Sequence, residues 1–174
     1  MWIVLSGSIM SCKNNQDDLP LSISDQKILF QYEYINCAWG FQHNGWIIDS
    51  SGTVYTYNKP YNWIFPNSSD MISSNEVENN LILTDTISFQ IDREVLISKF
   101  HLLKKAAMGQ TSKPINKGND MGAYCSFGYT YNSVDGNYKQ VLLKQTGDFL
   151  IDNSAKEAKE LHEWMVSIDS KIRK

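Results

Sequence analysis

Apolar and polar positions alternate early in the chain, in ILFQYEYINCAWGF, most clearly through Phe30, Tyr32 and Tyr34. A period of two marks a strand with one face turned inward, and residues 27–41 read as one bent strand or two. Asn44-Gly45 supplies a tight turn. Trp46-Ile47-Ile48 and Val54-Tyr55-Thr56-Tyr57 then flank Asp49-Ser50-Ser51-Gly52, a hairpin with Gly52 where a positive φ is tolerated. Tyr61, Trp63 and Phe65 recur at period two between Pro60 and Pro66, as an edge strand or an aromatic loop. The polar stretch 67–80 reads as a surface loop, and Leu81-Ile82-Leu83 and 87–91 as strands.

The period then changes. Asp92 is placed to cap a helix whose repeating face is Val95, Leu96, Lys99, Phe100, Leu103 and Ala107, with Gly109 at its end. After a basic loop at 110–120, strands follow at Ala123–Tyr131, Tyr138–Leu143 and Phe149–Ile151, the first two joined through Asp135-Gly136. Ser154 and Glu157 have capping-box spacing, and Ala158, Leu161, Trp164, Met165, Ile168 and Ile172 form one helical stripe. Truncation before Trp164 is expected to unfold the domain. The pattern predicts an α+β fold: a mainly antiparallel β-sheet of roughly six to eight strands with two packed helices, the second C-terminal.

Composition narrows the classes. The chain has 174 residues, 42% of them hydrophobic, with five Trp, nine Tyr and seven Phe, enough for one sizeable core. A net charge of -3 argues against binding along a nucleic-acid backbone, so no nucleic-acid partner is expected. Residues 92–117 are the basic exception, with six basic side chains against two acidic, and suit an acidic partner or anionic headgroups. No apolar run reaches the roughly 18 residues that span a bilayer.

The N-terminus has a different character. WIVLSGSIM, residues 2–10, is apolar apart from its serines, and Ser11-Cys12 follows directly. This segment resembles a bacterial lipoprotein signal, in which an apolar stretch ends just before the cysteine that becomes the lipidated first residue. Met10 and the lack of a preceding Lys or Arg depart from that pattern, and a true start upstream of Met1 would account for the short apolar stretch and the missing basic end. The resemblance implies a truncated signal at 1–11, lipidation of Cys12, a polar tether at 12–26 and a single α+β domain at 27–174. It also implies a cell-envelope location, with membrane contact through the lipid anchor only. The alternative is a cytoplasmic protein.

Candidate chemistry is sparse. Cys37 and Cys125 lie in aromatic-rich strands, as a disulfide if those strands are neighbours or as two buried thiols. No spacing of Cys, His or carboxylates forms a metal motif, and no glycine loop has the residues of a phosphate site, so no metal or cofactor is expected. A catalytic reading needs Cys125 to meet His43 or His101, or Asp148 and Asp152 to pair. His162 lies on the last predicted helix, and its adjacency to Glu163 is no sign of catalysis, since neighbouring helix positions point in different directions. The aromatic excess points instead to recognition, with Trp39, Trp46, Tyr57, Tyr61 and Trp63 as candidates for a groove taking a protein, peptide or glycan partner. The leading reading is a noncatalytic envelope-associated binding domain. Its alternatives are a small hydrolase with a Cys–His or paired-carboxylate site, and a cytosolic domain that neutralises a protein partner.

Overall fold

The computed structural model describes residues 23–173. The lipobox-like segment, Cys12 and most of the expected tether lie outside the described residues. In chain order the elements are β1 (Ile28–Asn36), β2 (Gln42–Asp49), β3 (Thr53–Asn58), β4 (Met71–Ser73), α1 (Ser74–Ile82), β5 (Thr86–Gln90) and α2 (Arg93–Ala106). They continue as β6 (Ile115–Asn116), β7 (Ala123–Asn132), β8 (Asn137–Gly147), β9 (Phe149–Asp152) and α3 (Lys156–Ile172). The nine strands form one antiparallel sheet in the order β5-β3-β2-β1-β7-β8-β9-β6, and β4 pairs with the start of β8.

Two meanders, β1-β2-β3 and β7-β8-β9, meet where β1 pairs with β7. The β2–β3 turn is built by Asp49, whose Oδ1 accepts from Ser51 N and Thr53 N, each at 2.9 Å. Gly52 holds φ at +91°, and a Cβ there would stand 2.7 Å from Ile91 O, so the position demands glycine.

One face of the sheet carries α2 and α3. Leu96, Phe100, Leu103 and Ala106 of α2 and Ala158, Leu161, Met165 and Ile168 of α3 close over Leu29, Phe30, Tyr32, Trp46 and Ile48. Phe30 meets Trp164 edge-on at 5.2 Å and Tyr32 stacks on Trp46 at 5.6 Å. Lys99 and Lys105 of the basic segment are drawn into ion pairs with Glu160 and Glu157 of α3, so part of its charge is spent joining the two helices. The opposite face holds a second cluster, Ile28, Ile47, Tyr57, Ile72, Val77, Tyr129 and Tyr138, covered by α1 and by the irregular segment 59–66.

Among the described residues the expectation of two helices is corrected to three α-helices, and the sheet has nine strands. The stretch 67–80, expected to be a loop, contains β4 and most of α1, and Leu81 and Ile82 end that helix instead of opening a strand. Ser73 caps α1 in a reciprocal box: its side chain accepts from Glu76 N, and Glu76 Oε2 accepts from Ser73 N at 2.8 Å. Only Val77 and Asn80 of α1 are buried, so the helix has no apolar stripe to announce it. At α3 the expected cap is also corrected. Ala155 is the cap residue and bonds Asn153 Oδ1, while Ser154 Oγ accepts from Gln110 N.

Candidate functional site

Inward-facing polar side chains are expensive unless paired, and the second face concentrates them. Gln31 and Glu33 alternate with Phe30, Tyr32 and Tyr34 on β1, so they point to the face opposite α2 and α3. Gln31 Nε2 donates to Glu33 Oε2 at 2.8 Å and to the Tyr57 hydroxyl at 2.9 Å. Tyr129 OH donates to Gln31 Oε1 at 2.5 Å and accepts from Gln140 Nε2 at 2.6 Å. His43, on β2, places Nε2 3.1 Å from Glu33 Oε2. Gly45 makes the approach possible, because a Cβ there would lie 2.8 Å from the Tyr57 hydroxyl and 2.1 Å from Tyr32 O. Burial first, and the Glu33 charge second, push the Tyr57 and Tyr129 hydroxyls well above the ordinary phenol range, so both stay protonated and serve as hydrogen-bond groups.

Aromatic rings roof this network. His43 is fully buried, with the rings of Tyr57, Phe65, Trp63 and Phe41 at centroid distances of 5.0, 5.1, 5.2 and 6.0 Å. Segment 59–66 acts as a strap, stacking Trp63 on Tyr57 at 4.4 Å. Asn80 of α1 clamps it by donating to Ile64 O at 2.7 Å and accepting from Ile64 N at 2.8 Å. Lys59 N donates to His43 O at 2.6 Å, and Lys59 and Asn62 take left-handed φ values of 50° and 67° that turn the strap back over the sheet.

The strap, the β1–β2 connection and the starts of β2 and β7 share one end of the sheet. There Trp39 is 82% exposed, Tyr61 84%, Phe41 53% and Phe65 45%. Beside them opens a cleft of about 440 Å³ lined by Asn36, Cys37, Asp120, Gln145, Asp148 and Phe149, among others. A larger open cleft, about 700 Å³, lies between α1 and the β2–β3 turn and includes Lys27, Asp49, Tyr55 and Glu78.

Of the five residues expected to form a recognition surface, Trp39 and Tyr61 are exposed and Trp63, the strap's inward ring, is half-buried. Trp46 and Tyr57 are corrected to core positions. Trp46 stacks under α3 and donates from Nε1 to Asp169 at 3.3 Å, and Tyr57 belongs to the buried network. Phe65 and the polar residues Gln31 and Glu33 were missed. Strand alternation around Phe30 could have flagged the two polar residues as inward-facing, but the spacing of β1, β2 and β3 in sequence could not bring Phe41 and Phe65 together.

The catalytic candidates do not converge. Cys125 faces Glu33 across the β1–β7 ladder, while His43 lies on the other side of Glu33, about two strand spacings or roughly 10 Å from Cys125. The Cys125 thiol donates to Gln145 Oε1 at 3.7 Å, and burial, with a smaller effect of Glu33, pushes it up to about 12. It is a thiol at neutral pH, not a nucleophilic thiolate. His101 is exposed on α2, on the opposite side of the sheet. Cys37 and Cys125 are both free, Cys37 exposed and Cys125 buried, because Cys37 lies beyond the end of β1, four residues past the partner of Cys125. Asp148 accepts from Met121 N, and Asp152 pairs with Lys144 at 2.7 Å at the far end of β9.

His162 meets the buried Ser126 Oγ through Nδ1 at 2.8 Å, a link between α3 and β7. Among the described residues no group of His, Cys, Asp or Glu is arranged to hold a metal ion, and no helix is long and apolar enough to cross a membrane. Comparison with protein-family models, curated proteins and solved structures finds no match to this chain.

Proposed function

We propose that this protein is a noncatalytic binding domain that takes its ligand at the end of the sheet formed by the β1–β2 connection and the strap. The supporting observation is the gathering of Trp39, Phe41, Tyr61 and Phe65 in two connections at one end, exposed while most other rings are packed inside. Large exposed rings are costly to leave in water and are favoured where a partner covers them. The buried Gln31–Glu33–His43 network and the Asn80 clamp hold the strap in place, so the rings are presented on a fixed base and binding need not order them. On this reading lipidation of Cys12 would tether the domain to the bacterial envelope.

The test is a glycan array and a peptide display library screened with the wild-type protein. Every hit is then measured again with a Trp39→Ala, Tyr61→Ala double variant. Both side chains are exposed, so the variant should unfold at the same temperature and lose at least about tenfold in affinity. Hits that bind the variant unchanged would place the ligand elsewhere and overturn the reading.

A further inference from the structure

The binding surface covers an unpaired polar atom, and that atom narrows the class of ligand. His43 is fully buried and its Nδ1 has no hydrogen-bond partner, while Nε2 is held by Glu33. Buried polar atoms are almost always partnered, so an orphan beneath a candidate binding surface calls for an explanation. The two nitrogens of an imidazole diverge. With Nε2 directed at Glu33 on β1, Nδ1 points away from that strand, toward the rings around His43. Two of those rings, Phe41 and Phe65, are half-exposed, so they are the cover that a ligand reaching His43 has to displace.

We infer that the ligand is a neutral oligosaccharide and that one of its hydroxyls hydrogen-bonds His43 Nδ1 when Phe41 or Phe65 turns aside. The inference rests on the binding reading above. Ring faces at Trp39, Tyr61, Phe41 and Phe65 suit the C–H faces of sugars, and the neighbouring cleft adds the side-chain amide of Gln145. Asp120 and Asp148 in the same cleft accept hydroxyl hydrogens and repel an anionic chain. A neutral His43 offers an acceptor at Nδ1 and a charged one offers a donor. A hydroxyl both donates and accepts, so it meets either form, whereas a peptide N–H or C=O meets only one.

The experiment titrates the full chain, labelled with nitrogen-15, with cellohexaose, chitohexaose and maltohexaose. Affinity is followed by tryptophan fluorescence and His43 by the long-range imidazole nitrogen spectrum. The expected result is binding of at least one sugar with a shift of the His43 Nδ1 resonance. Trp39→Ala with Tyr61→Ala, and separately His43→Phe, should each weaken that binding by about tenfold. If His43→Phe does not fold, the Nδ1 resonance of the wild type decides. Sugar binding that leaves Nδ1 unmoved overturns the inference and leaves the binding surface standing. So does a peptide ligand lost in the Trp39, Tyr61 variant when no sugar binds. If no sugar and no peptide binds at this end, both readings fall.

Discussion

The face of the sheet under α2 and α3 is closed mainly by aliphatic and aromatic side chains, whereas the face under α1 and the strap sets Gln31, Glu33, His43 and Asn80 among its rings. The first is stabilised by area removed from water, which is nondirectional and spread over many residues. The second depends on particular partners, and each lost bond strands another buried group. An apolar face holds the fold together; a polar one fixes where the strap and its exposed rings sit.

That contrast should be visible in how substitutions combine. Leu161→Ala, in the middle of the α3 stripe, should cost about 4 kcal/mol in urea unfolding, since Leu161 is fully buried and α3 cannot collapse into the space. Glu33→Leu should cost about 3 kcal/mol, because it strips His43 Nε2 of its partner and leaves Gln31 with one fewer acceptor. His43→Leu should cost a similar amount, and the double variant less than the two together by roughly 1–3 kcal/mol. Additive costs at Glu33 and His43 would mean that the pair is not a unit, and the comparison between the faces would lose its basis.

Asn80→Ala sharpens the same contrast at smaller cost. It removes both hydrogen bonds to Ile64, so about 2 kcal/mol should be lost, chiefly through unpaired backbone groups. Amide hydrogen exchange should report the loss along 59–66, with α2 and α3 unaffected. An equal rise across both faces would mean that Asn80 supports the whole fold instead of clamping the strap.

The apolar face was legible in the sequence because its signals are periodic. The stripe of Ala158, Leu161, Met165 and Ile168 and the cap at Asp92 both lie where the spacing puts them. The other face was not, since α1 buries one apolar side chain and one amide, and a helix with so small a buried face looks like a polar loop. Its one local sign was Ser73 with Glu76, a capping box inside a stretch rich in Ser and Asn. The end of the sheet that carries the exposed rings was half legible. Trp39, Tyr61 and Trp63 stand out by type, but only the antiparallel register brings the β1–β2 connection beside the strap, and registers are set by pairing across the chain.

The smallest expected effect concerns the half-buried contact of His162. His162 bonds Ser126 on the apolar side, and burial first, then the Lys144 charge, lower its pKa from the ordinary 6.5, so the folded state favours the neutral ring. Above pH 6.5 the ring is neutral folded and unfolded, and its contribution is present in full. Below that value the unfolded chain binds the proton first, so stability falls as the pH drops through the lowered folded value and then levels off. His162→Gln keeps a hydrogen-bonding group near Ser126 but does not titrate. Urea unfolding between about pH 7.5 and pH 4.5 should therefore show a steeper loss in the wild type than in the variant, beginning near pH 6.5. The carboxylates that titrate lower down, such as Glu76 in its capping box, are common to both proteins and cancel in the difference. Parallel curves would mean that the His162 ring is protonated as easily in the fold as in the unfolded chain, and that burial beside Lys144 does not hold it neutral.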